Sequence, residues 1–327
     1  PWRRQCRASR SDKMNAVLLD DIGNYPHPCV LAIGMFDGLH GGHMRVVEAA
    51  RKMAAECGAK LGILTFSPHP SKVVDMGRPP VRMLFPSGVR AEMFAEAGAD
   101  AVFVKNFDKP FAERTCADFG SFLKSKFPRL RGIATGENFR YGHGAKGDAK
   151  TLAETAKANG WKYAAVKSEH LPDRRRKSSS LMRDALESGN LELFGEIAGR
   201  PYSARGTVAG GKKLGRAIGF PTLNIKWNPD CKPPFGVYAA EVRANGASYK
   251  GVANYGLNPT VDDIAEPVLE TNLFENVDFG AGTKISVDFL KFLRPEMKFP
   301  SLDELKSQIA KDRAAAAEYF GLPPDAK

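Results

Sequence analysis

Two histidines three residues apart, His40 and His43, close the stretch Gly34-Met35-Phe36-Asp37-Gly38-Leu39-His40-Gly41-Gly42-His43, which joins an apolar run to an amphipathic one. A strand-to-helix turn of this kind aims side chains at the free N–H groups of a helix N-terminus, where anions bind. Gly41 and Gly42 allow close backbone approach to a phosphate. Imidazoles placed there donate hydrogen bonds to a triphosphate and to the charge that develops on an attacked α-phosphorus. A lone histidine would be read as a cap or a packing residue; the H-x-G-H pair in this setting favours nucleotide chemistry. Phe66-Ser67-Pro68-His69-Pro70 follows the next apolar run, at the sheet edge where open α/β folds bind ligands, and fits a wall of the same site.

Four further constellations carry chemistry. Gly142-His143-Gly144-Ala145-Lys146-Gly147 matches G-x-G-x-x-G, with Glu169 about 20 residues on, but it lies late in the α/β half, where a dinucleotide fingerprint is not expected. Arg174-Arg175-Arg176-Lys177-Ser178-Ser179-Ser180 leads into a helical stretch containing Arg183. Four adjacent cations are commonly a solvated face, yet hydroxyls at a helix start beside guanidinium groups also suit a pyrophosphate or triphosphate. Gly210-Gly211-Lys212-Lys213-Leu214-Gly215-Arg216 is a glycine and lysine loop able to cradle phosphate, followed by Thr222 and Asn224, whose two-residue spacing puts both oxygens on one side of a strand, where they could meet a magnesium ion. A plain hairpin with a polar face fits these residues equally well. Glu270, in the apolar run Leu269-Glu270-Thr271-Asn272-Leu273-Phe274, needs a task or a partner: a general base for a hydroxyl nucleophile, or half of a structural ion pair.

These residues belong to a chain of 327, enough for two domains with their own cores, and its 43% hydrophobic and 26% charged content excludes a disordered chain or a small disulfide scaffold. No apolar stretch is long enough to span a bilayer. The net charge of +11 raises nucleic acids or small polyanions as partners. Part of the excess sits in residues 1–13, read as a disordered basic tail before Met14; it lacks the apolar core of a secretory signal, so a cytoplasmic protein is expected. Cys6, Cys29, Cys57, Cys116 and Cys231 are widely spaced with no C-x-x-C, which fits neither a disulfide framework nor a zinc site.

The elements that must position the chemistry follow from periodicity. Strands are expected over 30–36, 60–66, 101–104, 132–135 and 161–166, and helices over 44–57, 87–96, 116–126 and 151–159: an α/β half with a parallel sheet. Helices over 181–187 and 191–198 follow. Short Gly- and Pro-punctuated runs over 206–208, 236–243, 248–255, 269–274 and 284–293 then suggest an antiparallel barrel or sandwich. A Ser301-x-x-Glu304 capping box opens one closing helix, stopped by Gly321 and Pro323.

The order of these pieces resembles the bacterial bifunctional riboflavin kinase/FMN adenylyltransferase family, also called FAD synthetase. The resemblance runs from Val30 to about Phe320 through G-M-F-D-G-L-H-G-G-H, F-S-P-H-P, G-E-N-F-R-Y-G, S-S-S-L-M-R, G-R-P-Y, G-R-A-I-G-F-P-T-L-N, F-G-V-Y-A, G-V-A-N-Y-G-L-N-P-T, L-E-T-N-L-F and F-L-R-P-E-M-K-F. It implies a Rossmann-like nucleotidyltransferase domain over 14–190 and an antiparallel β-barrel riboflavin kinase domain with a closing helix over 191–327. In the barrel, riboflavin and ATP would give FMN and ADP, with Gly210, Lys212, Gly215, Thr222 and Asn224 at the phosphates, Thr222 and Asn224 at Mg2+, Glu270 as base, and Arg294 near the flavin. In the first domain FMN and a second ATP would give FAD and pyrophosphate, with Gly34, Phe36, Asp37, His40, His43, Asn138, Arg176, Ser179, Ser180 and Arg183 at the nucleotide. Riboflavin, FMN, FAD and ATP are the partners implied, with no tightly bound cofactor, nucleic acid or membrane.

Several positions depart from the family pattern. Ser180 stands for the usual Thr, Met182 for Ile, Met35 for Asn, and Asn272 for the His common after the glutamate; Asp278-Phe279-Gly280-Ala281-Gly282 replaces a tyrosine-containing turn. None removes a residue assigned to chemistry. Two other readings stand beside this one: a chain with only one active half, and a basic nucleic-acid-binding protein, which tight salt-sensitive RNA binding by a chain starting at Met14 would support.

Overall fold

The computed structural model describes residues 16–210, 220–258 and 266–323. The basic tail, with Cys6 and Met14, and the loop positions Lys212, Gly215 and Arg216 lie outside the described residues. The chain divides into two compact units between Ser179 and Ser180.

The first unit holds a six-stranded, wholly parallel sheet in the order β1-β4-β3-β2-β5-β6. Its strands are β1 (Val17–Leu18), β2 (Cys29–Ile33), β3 (Lys60–Ser67), β4 (Ala101–Asn106), β5 (Leu130–Gly136) and β6 (Lys162–Val166). Between them run α1 (Gly41–Glu56), α2 (Ser87–Glu96), α3 (Lys109–Ala112), α4 (Cys116–Lys126) and α5 (Ala149–Ala158). β2 is buried along its whole length because helices cover the sheet, so its five residues read as a continuous apolar run. The chain leaves β2 toward β3 on one side and later returns to β5 on the other. The carboxyl ends of β2 and β5 therefore form the switch point where such sheets open a crevice. Leu31, Ile33, Phe103, Phe127 and Ile133 belong to the core of this unit.

The strand expected over 30–36 stops at Ile33, and the helix expected from Met44 starts three residues earlier, at Gly41. The reason is the turn itself: Phe36, Gly38 and Leu39 all take positive φ, which no strand tolerates, and His40 caps the helix from outside. β1 and α3 lack a readable period because they are only two and four residues long.

The second unit begins within α6 (Ser179–Glu187) and continues through α7 (Leu191–Ala198) into a six-stranded antiparallel sheet, β7-β12-β9-β10-β11-β8. These strands are β7 (Tyr202–Thr207), β8 (Thr222–Lys226), β9 (Gly236–Ala244), β10 (Ala247–Asn258), β11 (Glu266–Leu273) and β12 (Lys284–Pro295). An antiparallel bridge between Ala209, just beyond β7, and Asn224 in β8 joins the two edges and curls the sheet into a barrel. Tyr202, Ile225, Tyr238, Tyr255, Leu269 and Phe289 fill the interior. The last helix, α8 (Leu302–Tyr319), packs on the outer face, its Ala316 and Ala317 against Val237, Ala239 and Val252. Ser301 caps it by accepting a hydrogen bond from the Glu304 amide at 3.2 Å.

Candidate functional site

At the carboxyl end of β2 the chain makes a tight turn into α1. Gly34 continues the sheet by donating to the Leu64 carbonyl at 3.1 Å. The Asp37 carboxylate accepts from the Leu84 amide at 3.0 Å, and the Asp37 carbonyl accepts from Ser179 Oγ at 2.7 Å. Phe36 is buried and props His43 edge-on, with ring centroids 5.4 Å apart. His40 and His43 stack at 3.6 Å and 22° on the first turn of α1, where His40 Nδ1 accepts from the His43 amide at 3.4 Å.

Both imidazoles are held neutral. Burial is the main cause at His40, where Arg176 and Lys177 reinforce it and Glu169 partly offsets it, leaving the pKa at about 4. Burial first and then His40 hold His43 well below the usual histidine range. His43 Nδ1 is enclosed and has no hydrogen-bond partner among the described residues. A neutral imidazole still donates from one ring nitrogen, and anionic charge bound beside it raises its pKa. The pair is thus a donor set whose proton affinity would rise beside any bound anion.

A second wall comes from residues 169–177, a small hairpin closed by the His170–Arg176 bridge and by the Lys177 amide donating to the Glu169 carbonyl at 2.8 Å. The hairpin divides the basic run. Arg174 and Arg175 belong to its exposed tip, where Arg175 pairs with Asp173, while Arg176 and Lys177 return to its base. The Glu169 carboxylate, ion-paired to Lys177 Nζ at 2.8 Å, lies so close to Gly41 that a Cβ there would collide with it. Asn138 is exposed just past β5, across the switch point from the histidine turn. Ser179 opens α6; Ser180 and Arg183 follow in the same helix, one turn apart, Arg183 donating to Ser180 Oγ at 3.3 Å.

Sequence reasoning missed Arg90. It sits on α2 with the buried Met93 and Phe94, and is itself only 3% exposed. Its guanidinium donates to the Met35 carbonyl at 2.7 Å, to Thr65 Oγ1 at 3.1 Å and to the Phe66 carbonyl at 3.2 Å, tying the ends of β2 and β3 beneath the histidine turn. An arginine spaced with an apolar face was the available signal. The Gly142 loop, in contrast, is filled by its own chain: Tyr141 bridges Gly147 and its ring occupies the space a Cβ there would need. Asp148 caps α5, so that helix start already carries a carboxylate.

The barrel holds a separate polar row. Strand register places Glu270 opposite Asn224 on one side and Asn254 on the other, and Asn272 opposite Thr222. Directly opposed residues share a face, so these five side chains lie together on the outer surface of β8, β11 and β10. Asn224 Nδ2 donates to Thr222 Oγ1 at 3.2 Å. Hydroxyl, amide carbonyl and carboxylate oxygens are the donors a hard divalent cation prefers. No cluster of three or more His, Cys, Asp or Glu suited to a metal occurs among the described residues. Gly210 is exposed at the end of its described stretch. Arg294 is engaged by α8: Nε and Nη2 donate to the two Asp312 carboxylate oxygens at 2.8 and 2.7 Å, and Nη1 donates to the Pro295 carbonyl at 2.9 Å.

Comparison with known proteins gives one picture. The family model described as FAD synthetase matches residues 23–180, and that described as riboflavin kinase matches 198–320. A bifunctional riboflavin kinase/FMN adenylyltransferase of Bacillus subtilis (strain 168) is 35% identical over 89% of this chain and 92% of its own. One from Escherichia coli (strain K12) is 36% identical over 90% of this chain and 93% of its own. Among solved structures, a chain titled macrolide-efflux protein from Streptococcus pneumoniae has 26% identity and a TM-score of 0.77, over 91% of this chain and 96% of that one. No described helix of the present chain is long and apolar enough to cross a membrane.

Proposed function

The chain belongs to the bifunctional riboflavin kinase/FMN adenylyltransferase family, and from that premise we propose which of its residues carry the two reactions. It is a transferase of flavin cofactor biosynthesis: riboflavin and ATP give FMN and ADP, and FMN and ATP give FAD and pyrophosphate. Our reading assigns the first reaction to a barrel domain over 191–327 and the second to a domain over 14–190.

In the barrel, Glu270 takes the proton of the terminal ribityl hydroxyl as that oxygen attacks the γ-phosphorus and ADP leaves. Thr222 and Asn224 meet the divalent ion carried by ATP, which we take to be Mg2+, while Gly210, Lys212 and Gly215 serve the phosphates and Arg294 the flavin side. The ion's chemistry is to neutralise the phosphate oxygens. In the sheet domain the nucleophile is the FMN phosphate, already ionised, so no base is required. His40 and His43, with Asn138, Arg176, Ser179, Ser180 and Arg183, hold the triphosphate and donate to the charge growing on the α-phosphorus as pyrophosphate departs. Gly34, Phe36 and Asp37 hold the turn in shape. We place the chain in the cytoplasm, the compartment of ATP and of reduced thiols.

The observation that carries this reading is the barrel register, which sets Glu270 directly opposite Asn224 with Thr222 on the same face. The test is a time course of the full chain with riboflavin, ATP and Mg2+, resolved by chromatography. FMN should rise and then give way to FAD, with one pyrophosphate per FAD, and chelation of the divalent ion should stop both. FMN that accumulates without FAD would remove the second assignment, and FAD formed only from supplied FMN would remove the first.

A further inference from the structure

β8 is an edge strand only five residues long, and its first residue is Thr222, which our reading of the barrel assigns to the ATP phosphates. Its start needs an anchor outside the ladder. That anchor is Asn272, two residues from Glu270 on the same face of β11 and only 7% exposed. Asn272 Nδ2 donates to the carbonyl of Pro221, the residue immediately before Thr222, at 2.7 Å. Asn272 Oδ1 accepts from Arg313 Nη1 of α8. Arg313 also donates to the Leu273 carbonyl at 3.1 Å and lies 5.0 Å over the Phe274 ring, so it is itself well fixed.

The chemistry leaves the amide one orientation. Arginine only donates and a carbonyl only accepts, so Oδ1 must face Arg313 and Nδ2 must face Pro221. We infer that Asn272, oriented by Arg313 of the closing helix, is a positioning residue of the kinase reaction: it pins the start of β8 and so sets where Thr222 meets the ATP phosphates relative to Glu270. A displacement of about 1 Å at a reacting group costs on the order of a hundredfold in rate, so a single hydrogen bond at the strand start is amplified. The inference rests on the reading of the barrel as the riboflavin kinase.

A neutral histidine also offers one acceptor and one donor on a planar ring, so it can reproduce the relay, whereas leucine offers neither. In the full chain at pH 8, Asn272→Leu should lower kcat or raise KM for ATP in riboflavin phosphorylation by at least tenfold. Formation of FAD from supplied FMN should be unchanged, because the other unit carries it, and circular dichroism with a cooperative melt should report that the barrel of the variant is folded. Asn272→His should return kinase turnover to within about threefold of the parent. Arg313→Met should resemble Asn272→Leu, and the double variant should lose no more than the worse single one, because the two act as a unit. Removing both polar partners also relieves the unpaired guanidinium, so the double variant should melt closer to the parent than Asn272→Leu does while its kinase turnover stays low. Kinase kinetics of Asn272→Leu equal to the parent's, a histidine variant no better than the leucine one, or activity that returns with stability in the double variant would each overturn the inference. A parent chain that makes no FMN at all would instead remove the kinase reading on which it stands.

Discussion

His43 and Glu270 are each expected to serve one reaction only, because they lie on different elements of different units. Removing one preorganised donor from a charge-stabilising site costs about 10² to 10³ in rate. His43→Ala should therefore cut FAD formation from FMN by that order and leave FMN formation intact; unaltered FAD synthesis would end the assignment. Glu270→Gln should lower riboflavin phosphorylation by about 10² to 10⁴ and spare FAD formation from FMN, and loss of both would argue against separate sites. Both residues were legible in the sequence, one by its H-x-G-H spacing and one as a carboxylate in an apolar run. Asn272 stood in the same motif as Glu270, yet its role was hidden because its partners, Pro221 and Arg313, are far away along the chain and meet it only in the fold.

At the scale of the element, α2 does more than cover the sheet. Arg90 reaches from it into a buried spot, where its charge is disfavoured by burial and supported by Asp37. Deleting the buried guanidinium takes a donor from the Met35 and Phe66 carbonyls and from Thr65 Oγ1, and such losses cost about 3 kcal/mol. Arg90→Met should lower the stability of the sheet unit by that order in urea unfolding and slow FAD formation, with riboflavin phosphorylation retained; unchanged FAD kinetics would show that the histidine turn holds without it. The helices and longer strands were readable because their periods run over many residues. The ends were not: β2 stops early because three positive-φ residues follow, and β7 starts at Tyr202, ahead of the expected 206–208, because it pairs with β12 from Phe289 back to Lys284.

For the whole molecule, the buried histidines make acid a specific weakness of the sheet unit. The folded pKa of His40, about 4, lies below the ordinary value near 6.5, so between these values the unfolded chain binds the proton that the folded one refuses. Stability attributable to His40 is full above pH 6.5, falls as pH drops toward 4 and then levels, a loss of about 3 kcal/mol. The urea midpoint should accordingly drop more between pH 7 and pH 5 in the parent than in His40→Gln. Equal drops would show that the imidazole protonates freely in the fold. ATP binding should reduce the parent's drop, since phosphate charge favours the imidazolium.

Composition, period and motif spacing are local properties, and from them alone the two-part organisation, the parallel and antiparallel character of the halves and the candidate residues for chemistry could be read. The grouping of Thr222, Asn224, Glu270 and Asn272 on one face, the neutral stacked state of His40 and His43, the division of the 174–177 cations between hairpin tip and base, and the burial of Arg90 were decided by tertiary structure alone. Each depends on strand register, on what covers a side chain, or on which groups approach from distant segments. Hydrogen bonds and proton affinities respond to those distances in space, and spacing along the chain does not contain them.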